Sequence, residues 1–162
     1  MENFELKLIE INRKLIPLTK LIILICFSGL ILSISINVLL RYVFKSPLFW
    51  VTEFSCYCLV YCVLFGAALA LYKNEHVGIY VGDLKLPKKL KIIFQILATF
   101  FTYLFILLMI SFGMILSLDN MNSYTGSIPF PMGGIYLAIP LSGVIMLFLY
   151  TERFLTERKH TS

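Results

Sequence analysis

Four long stretches of the chain carry no charged side chain. Leu21 to Leu40 is a run of 20 residues, Phe54 to Tyr72 of 19 and Ile92 to Leu118 of 27. A fourth uncharged run, Asn120 to Thr151, divides into a polar, proline-containing beginning and an apolar stretch from Met132. A helix needs about 20 residues to cross a hydrocarbon layer of roughly 30 Å, and all four runs qualify. The third, about 40 Å long as a straight helix, has to lean or project from the membrane. Leu and Ile dominate, without the ten-residue alternation of a transmembrane β-strand. The pattern predicts an all-α integral membrane protein, one membrane domain over 1–162, with transmembrane helices at 18–41, 50–72, 91–118 and 132–152.

The first 17 residues follow a different rule. Phe4, Leu8, Ile11 and Leu15 recur at helical spacing, while Glu5, Glu10, Arg13 and Lys14 fall elsewhere. That stripe predicts an N-terminal interfacial amphipathic helix, with Pro17 breaking or bending the chain before the first span. The first apolar run is longer than the core of a signal peptide, and no small-residue cleavage site follows it. It is expected to remain as the first helix.

Composition sharpens this picture. Hydrophobic residues make up 59% of the chain and charged residues only 14%, against about 25% charged in ordinary soluble domains. So few charges cannot cover a water-facing surface, and so much apolar surface excludes disorder. The net charge of +5 would by itself suit nucleic acid or anionic lipid. The positions of the cations decide. Arg41 and Lys45 lie between the first two spans; the other twelve of the fourteen basic residues lie before the first span, between the second and third, or after the fourth. With four spans those three regions share one side. The positive-inside rule then places both termini in the cytoplasm. Nucleic acid drops out as a partner. The lysine-rich stretch Leu84 to Lys91 reads as a contact for phospholipid headgroups on that basic face.

The residues that usually carry chemistry are sparse. Cys56, Cys58 and Cys62 lie on the second helix and Cys26 on the first, without zinc-ligand spacing; they read as small packing residues. His76 and His160 lie outside the spans, so no haem pair forms at membrane depth. The uncharged runs hold no carboxylate for a proton or ion relay. No catalytic, cofactor or metal residue is assigned, and an enzyme is not expected. Small and polar residues recur instead every four positions. Gly29, Ser33, Asn37 and Arg41 do so on the first helix, Cys58, Cys62, Gly66 and Ala70 on the second, and Gly134, Ala138 and Ser142 on the fourth. Such ridges let transmembrane helices approach closely, within this bundle or against a larger membrane partner.

The segment joining the first two spans is the most specific. Arg41 and Glu53 flank it and are placed to pair, at a boundary where a lone charge is costly. Tyr42 and Trp50, the sole Trp, suit an interfacial belt, and Pro47 suits the turn. Here the sequence resembles the DctQ-like small membrane subunit of tripartite ATP-independent periplasmic (TRAP) transporters. The resemblance rests on Asn37-Val38, Arg41-Tyr42, Phe44, Pro47, Trp50 and Glu53. Gly66-Ala67-Ala68, His76-Val77, Pro129, Tyr136 and Ile139-Pro140 extend it along nearly the whole chain. It implies a sodium-coupled, three-part importer of an organic acid, such as a C4-dicarboxylate or sialic acid. A periplasmic binding protein would capture the solute, a large permease subunit would carry it, and this small subunit would act as the scaffold. Two competitors remain on the residues alone: a self-sufficient four-helix exporter, which would want a carboxylate inside the first helix, and a non-transport membrane scaffold.

Overall fold

The computed structural model describes residues 2–45, 48–73, 88–124 and 126–161, with side chains at 7–45, 48–72, 90, 92–94, 96–124 and 126–155. Pro47, His76, residues 84–87 and the side chains of Lys88, Lys89 and Lys91 lie outside these. The described chain is helical: α1 spans Glu2–Val43, α2 Phe49–Lys73, α3 Lys88–Asp119, α4 Met132–Tyr136 and α5 Ala138–Thr161. Four stretches are long and apolar enough to cross a membrane: Lys7–Val43, Phe49–Tyr72, Ile92–Asp119 and Met132–Leu155.

Pro17 does not interrupt the first helix. The amphipathic N-terminal stretch is helical and continuous with the first span, in one helix of 42 residues. Proline removes one N–H and crowds the carbonyl four residues back. Packing outweighs that cost here. Leu8 and Asn12 before the proline and Thr19 after it are all buried, so both sides of the defect are held. The face turned to the bundle carries a polar residue. Ile11 is 42% exposed, whereas Asn12 is 1% exposed. The Asn12 amide Nδ2 donates to the Phe148 carbonyl at 3.1 Å and to Glu152 Oε2 at 2.5 Å. Both acceptors are on α5, so the start of α1 is fastened to the end of α5.

The last span carries a break that its apolar run did not show. α4 ends at Tyr136 and α5 begins at Ala138. Pro140 explains it: its ring opposes the Tyr136 carbonyl and it has no N–H to offer it. The flanking bonds survive, Leu137 N–H to Gly133 O at 3.0 Å and Leu141 N–H to Leu137 O at 3.2 Å, so the two pieces run on as one kinked span.

α5 is the hub. It packs on α2, on α3 and on the start of α1, while α1 pairs chiefly with α2. Among the described residues neither α1 nor α2 pairs with α3. Ala68 of α2, Ile106 of α3 and Met146 of α5 form the buried core. At the end that carries the termini, Tyr103 of α3 stands edge-on to Tyr150 and Phe154, and Arg153 donates to the Leu71 carbonyl at 2.7 Å. The outer helices leave long apolar faces uncovered: 44% of the α4–α5 span is buried, but only 6% of α1 and of α3.

Candidate functional site

At the far end from the termini, α1 reverses into α2. α1 closes with Phe44 N–H on Leu40 O at 3.1 Å, and Lys45 follows at φ 51°. This left-handed backbone is the usual exit from a helix, though glycine more often occupies it. The Asn37 amide oxygen then accepts the Leu48 N–H at 3.3 Å. One side chain near the end of α1 thus fixes where α2 begins. Val51, one turn on, is 2% exposed and anchors the start of α2 in the bundle. Tyr42 and Trp50 are 75% and 47% exposed, with their rings on the outside near the turn.

Arg41 and Glu53 do not meet. Arg41 is exposed on the last turn of α1 and makes no hydrogen bond or ion pair among the described residues. Glu53 is half-buried in the first turns of α2, its Oε2 buried and without a hydrogen-bond partner among the described residues. The Tyr57 hydroxyl, one turn further, is in the same condition. Positions 41 and 53 flank the turn in sequence, but helical phase directs the two side chains apart. Further along the same face, the Tyr61 hydroxyl donates to the Gly134 carbonyl at 2.8 Å, which ties α2 to α4.

The ridge residues divide between several interfaces. On the α1–α2 seam, Ser33 Oγ and Ser55 Oγ are hydrogen-bonded at 2.8 Å, and the Cys62 thiol donates to Ile23 O at 3.7 Å. Gly29 lies against Cys58 Sγ and the Phe54 ring, where a Cβ would find ordinary contacts at 3.7–3.9 Å. Gly66 has nothing within 4 Å of its Cβ position, and Ala70 is half-buried. Gly134 is capped by the Phe130 ring, 2.7 Å from where a Cβ would stand. Ala138 and Ser142 are fully buried, the Ser142 hydroxyl donating to Ile139 O at 2.9 Å.

Three further glycines, not singled out by spacing, also make close approaches. A Cβ on Gly133 would overlap the Ser117 carbonyl oxygen and stand 2.9 Å from Met121 Cα. One on Gly113 would stand 2.8 Å from Ile139 Cγ2, and one on Gly143 2.8 Å from Ile110 Cγ1. Ser117 Oγ adds a 2.8 Å hydrogen bond to Gly133 O. The loop from Asn120 to Pro131 is strapped over this seam by Gly133 N–H to Asn120 O and Met132 N–H to Ser123 O, at 2.9 and 2.8 Å.

An open cleft of about 350 Å³ lies between α1 and α2 beside the turn. Leu30, Ile34, Val38, Cys56 and Leu59 give it apolar walls, and Asn37, Arg41, Thr52 and Ser55 give it a polar edge. Among the described residues no three His, Cys, Asp or Glu are grouped to hold a metal ion. The arrangement is one of helix seams, a fixed turn and lipid-length apolar faces.

Comparison with known proteins agrees with that architecture. Residues 30–160 match the family model of tripartite ATP-independent periplasmic transporters, DctQ component. A Haemophilus influenzae protein named as a TRAP transporter small permease protein is 27% identical over 142 residues, covering 86% of this chain and 88% of that protein. The sialic acid TRAP transporter permease protein SiaT of a second Haemophilus influenzae strain is 28% identical over 121 residues. That match takes in 72% of this chain but only 19% of the much longer relative. With the family model covering most of the chain and the four spans in place, the protein belongs to the DctQ family, the small membrane component of TRAP transporters.

Proposed function

We propose that this chain is the small permease subunit of a sodium-coupled TRAP transporter that imports an organic acid of the C4-dicarboxylate or sialic acid type. In this reading it works as a stationary scaffold beside the large permease subunit. The observation that carries the reading is the match to SiaT, in which a segment like this chain makes up about a fifth of a longer permease. A module that is part of a longer permease in one relative, and makes up most of a protein named as a small permease in another, is expected to bind the rest of the permease as a partner. The uncovered apolar faces of α1 and α3 offer the surface for it, since helices associate in lipid through close packing rather than through the hydrophobic effect.

The charge distribution supports both termini in the cytoplasm of a bacterial inner membrane, with the basic face against phospholipid headgroups. The opposite end, carrying the α1–α2 turn and the Asn120–Pro131 loop, would then face the periplasm and the substrate-binding protein. Asn37, Arg41, Tyr42, Pro47, Trp50 and Glu53 serve to set that turn and anchor it at the interface. Co-expression with a large TRAP permease subunit from the same organism tests the reading. The two chains should co-purify, and sodium-driven uptake of a labelled organic acid into vesicles should need both. Full uptake by the large subunit alone, without co-purification, would overturn it. Normal uptake and assembly in an Arg41→Ala, Glu53→Ala double variant would remove the role given to the turn.

A further inference from the structure

We propose that the cleft between α1 and α2 is a binding site for one anionic phospholipid. It extends along α1 from Leu30 to Arg41, a rise of roughly 16 Å. Its chemistry changes along that length. Leu30, Ile34 and Leu59 are apolar and suit an acyl chain, while the end beside the turn gathers Asn37, Arg41 and Thr52.

That end is furnished with donors. Arg41 is exposed and makes no hydrogen bond or ion pair among the described residues. The Asn37 side chain uses its oxygen to accept the Leu48 N–H, which leaves its NH2 group pointing away as a donor. Thr52 is exposed and contributes a hydroxyl. No carboxylate lines the cleft. A guanidinium binds phosphate through paired, charge-assisted hydrogen bonds, and a cation is favourably placed at a helix C-terminus. The complement is an amphiphile with a phosphate headgroup, net negative charge and a chain lying down the groove. A transmembrane helix of a partner would fill the apolar part but leave the Arg41 charge without its counterion.

Trp50 is the sole Trp; it lies on the first turn of α2, two residues before Thr52, and does not itself line the cleft, so it reports lipid held near the polar end by proximity. The full chain is reconstituted in phosphatidylcholine vesicles containing either dibrominated phosphatidylglycerol or dibrominated phosphatidylcholine at the same mole fraction. Brominated phosphatidylglycerol should quench Trp50 more strongly, and excess inorganic phosphate should not relieve it. Arg41→Gln should lower the preference by about tenfold or more, Arg41→Lys should keep part of it, and Ile34→Phe, which fills the groove, should weaken quenching by both lipids. Lys45→Gln, at a neighbouring cation outside the cleft, should keep the preference. Equal quenching by the two lipids in the unaltered chain would overturn the proposal, as would equal losses in Arg41→Gln and Lys45→Gln. Disappearance of the preference on co-reconstitution with the large permease subunit would also overturn it, and would make the cleft a seat for protein.

Discussion

Between α1 and α2, side chains reach across a gap. Ser33 meets Ser55, Cys62 meets the Ile23 carbonyl, and Gly29 faces Cys58 and Phe54 at ordinary contact distance. Between α3 and the α4–α5 span the approach is closer, against backbone at Gly133 and against side chains at Gly113 and Gly143. Gly113, Gly133 and Gly143 each stand where even a methyl group would collide, and Ser117 hydrogen-bonds directly to the Gly133 carbonyl. The first seam keeps an open cleft and the second has no room to spare. In lipid, a seam tightened by glycine gains dispersion contacts that no solvent effect supplies. A seam spanned by hydroxyls and thiols is held at a few points and can admit a ligand between them.

Gly133→Ala tests the tight seam most severely. Its methyl would meet backbone of Ser117 and Met121, which cannot rotate aside, so a loss of about 2–3 kcal/mol is expected in an SDS titration followed by helicity. A loss under about 0.5 kcal/mol would mean that the seam is looser than its geometry. Asn12→Ala comes next. It removes the tie between α1 and α5, and about 1–2 kcal/mol should go with it, because buried acceptors lose their donor. An unchanged midpoint would show that the start of α1 is not fastened there. Ser33→Ala, on the open seam, should cost only about 0.6 kcal/mol, the usual scale for an interhelical hydrogen bond in a membrane. Gly29→Ala should fall within about 0.5 kcal/mol of the unaltered chain. If it instead cost as much as Gly133→Ala, the contrast between the seams would disappear.

The spans were readable because each announces itself by a missing class of residue: Leu21–Leu40 and Phe54–Tyr72 simply contain no charge. The continuity of α1 was not readable. Pro17 gives a local signal to stop, and only the burial of Leu8, Asn12 and Thr19 against distant parts of the chain overrides it. Asn12 was missed for a related reason. The stripe Phe4, Leu8, Ile11, Leu15 predicts an interfacial helix whose apolar side faces lipid, and an apolar stripe gives no sign that Asn12 is buried. Where the surroundings are lipid, the polar side chain gains by facing the protein. The ridge spacing brought out Ser33 and Cys62, which lie on a seam. It passed over Gly113, Gly133 and Gly143, which come from three separate elements and share no interval. Arg41 and Glu53 show the limit of reading flanking charges as a pair, since helical phase separates them. The fold-wide resemblance carried further than any single motif, because it draws on many weak positions at once.

The pairing of Cys62 with the Ile23 carbonyl has a mechanical meaning. Cys62 lies at the middle of α2, so Ile23 of α1 is at that same level. Lys20 is then only about 4.5 Å nearer the terminal end, exposed on the outside of the helix. Its ammonium can reach the headgroup region only by stretching along α1 toward the termini. Sliding the bundle one turn the other way would drag a charge toward the bilayer centre, at about 2.5–3.5 kcal/mol. In a bilayer Lys20 would act as a keel, letting the helix ride at one depth and resisting a slide from it.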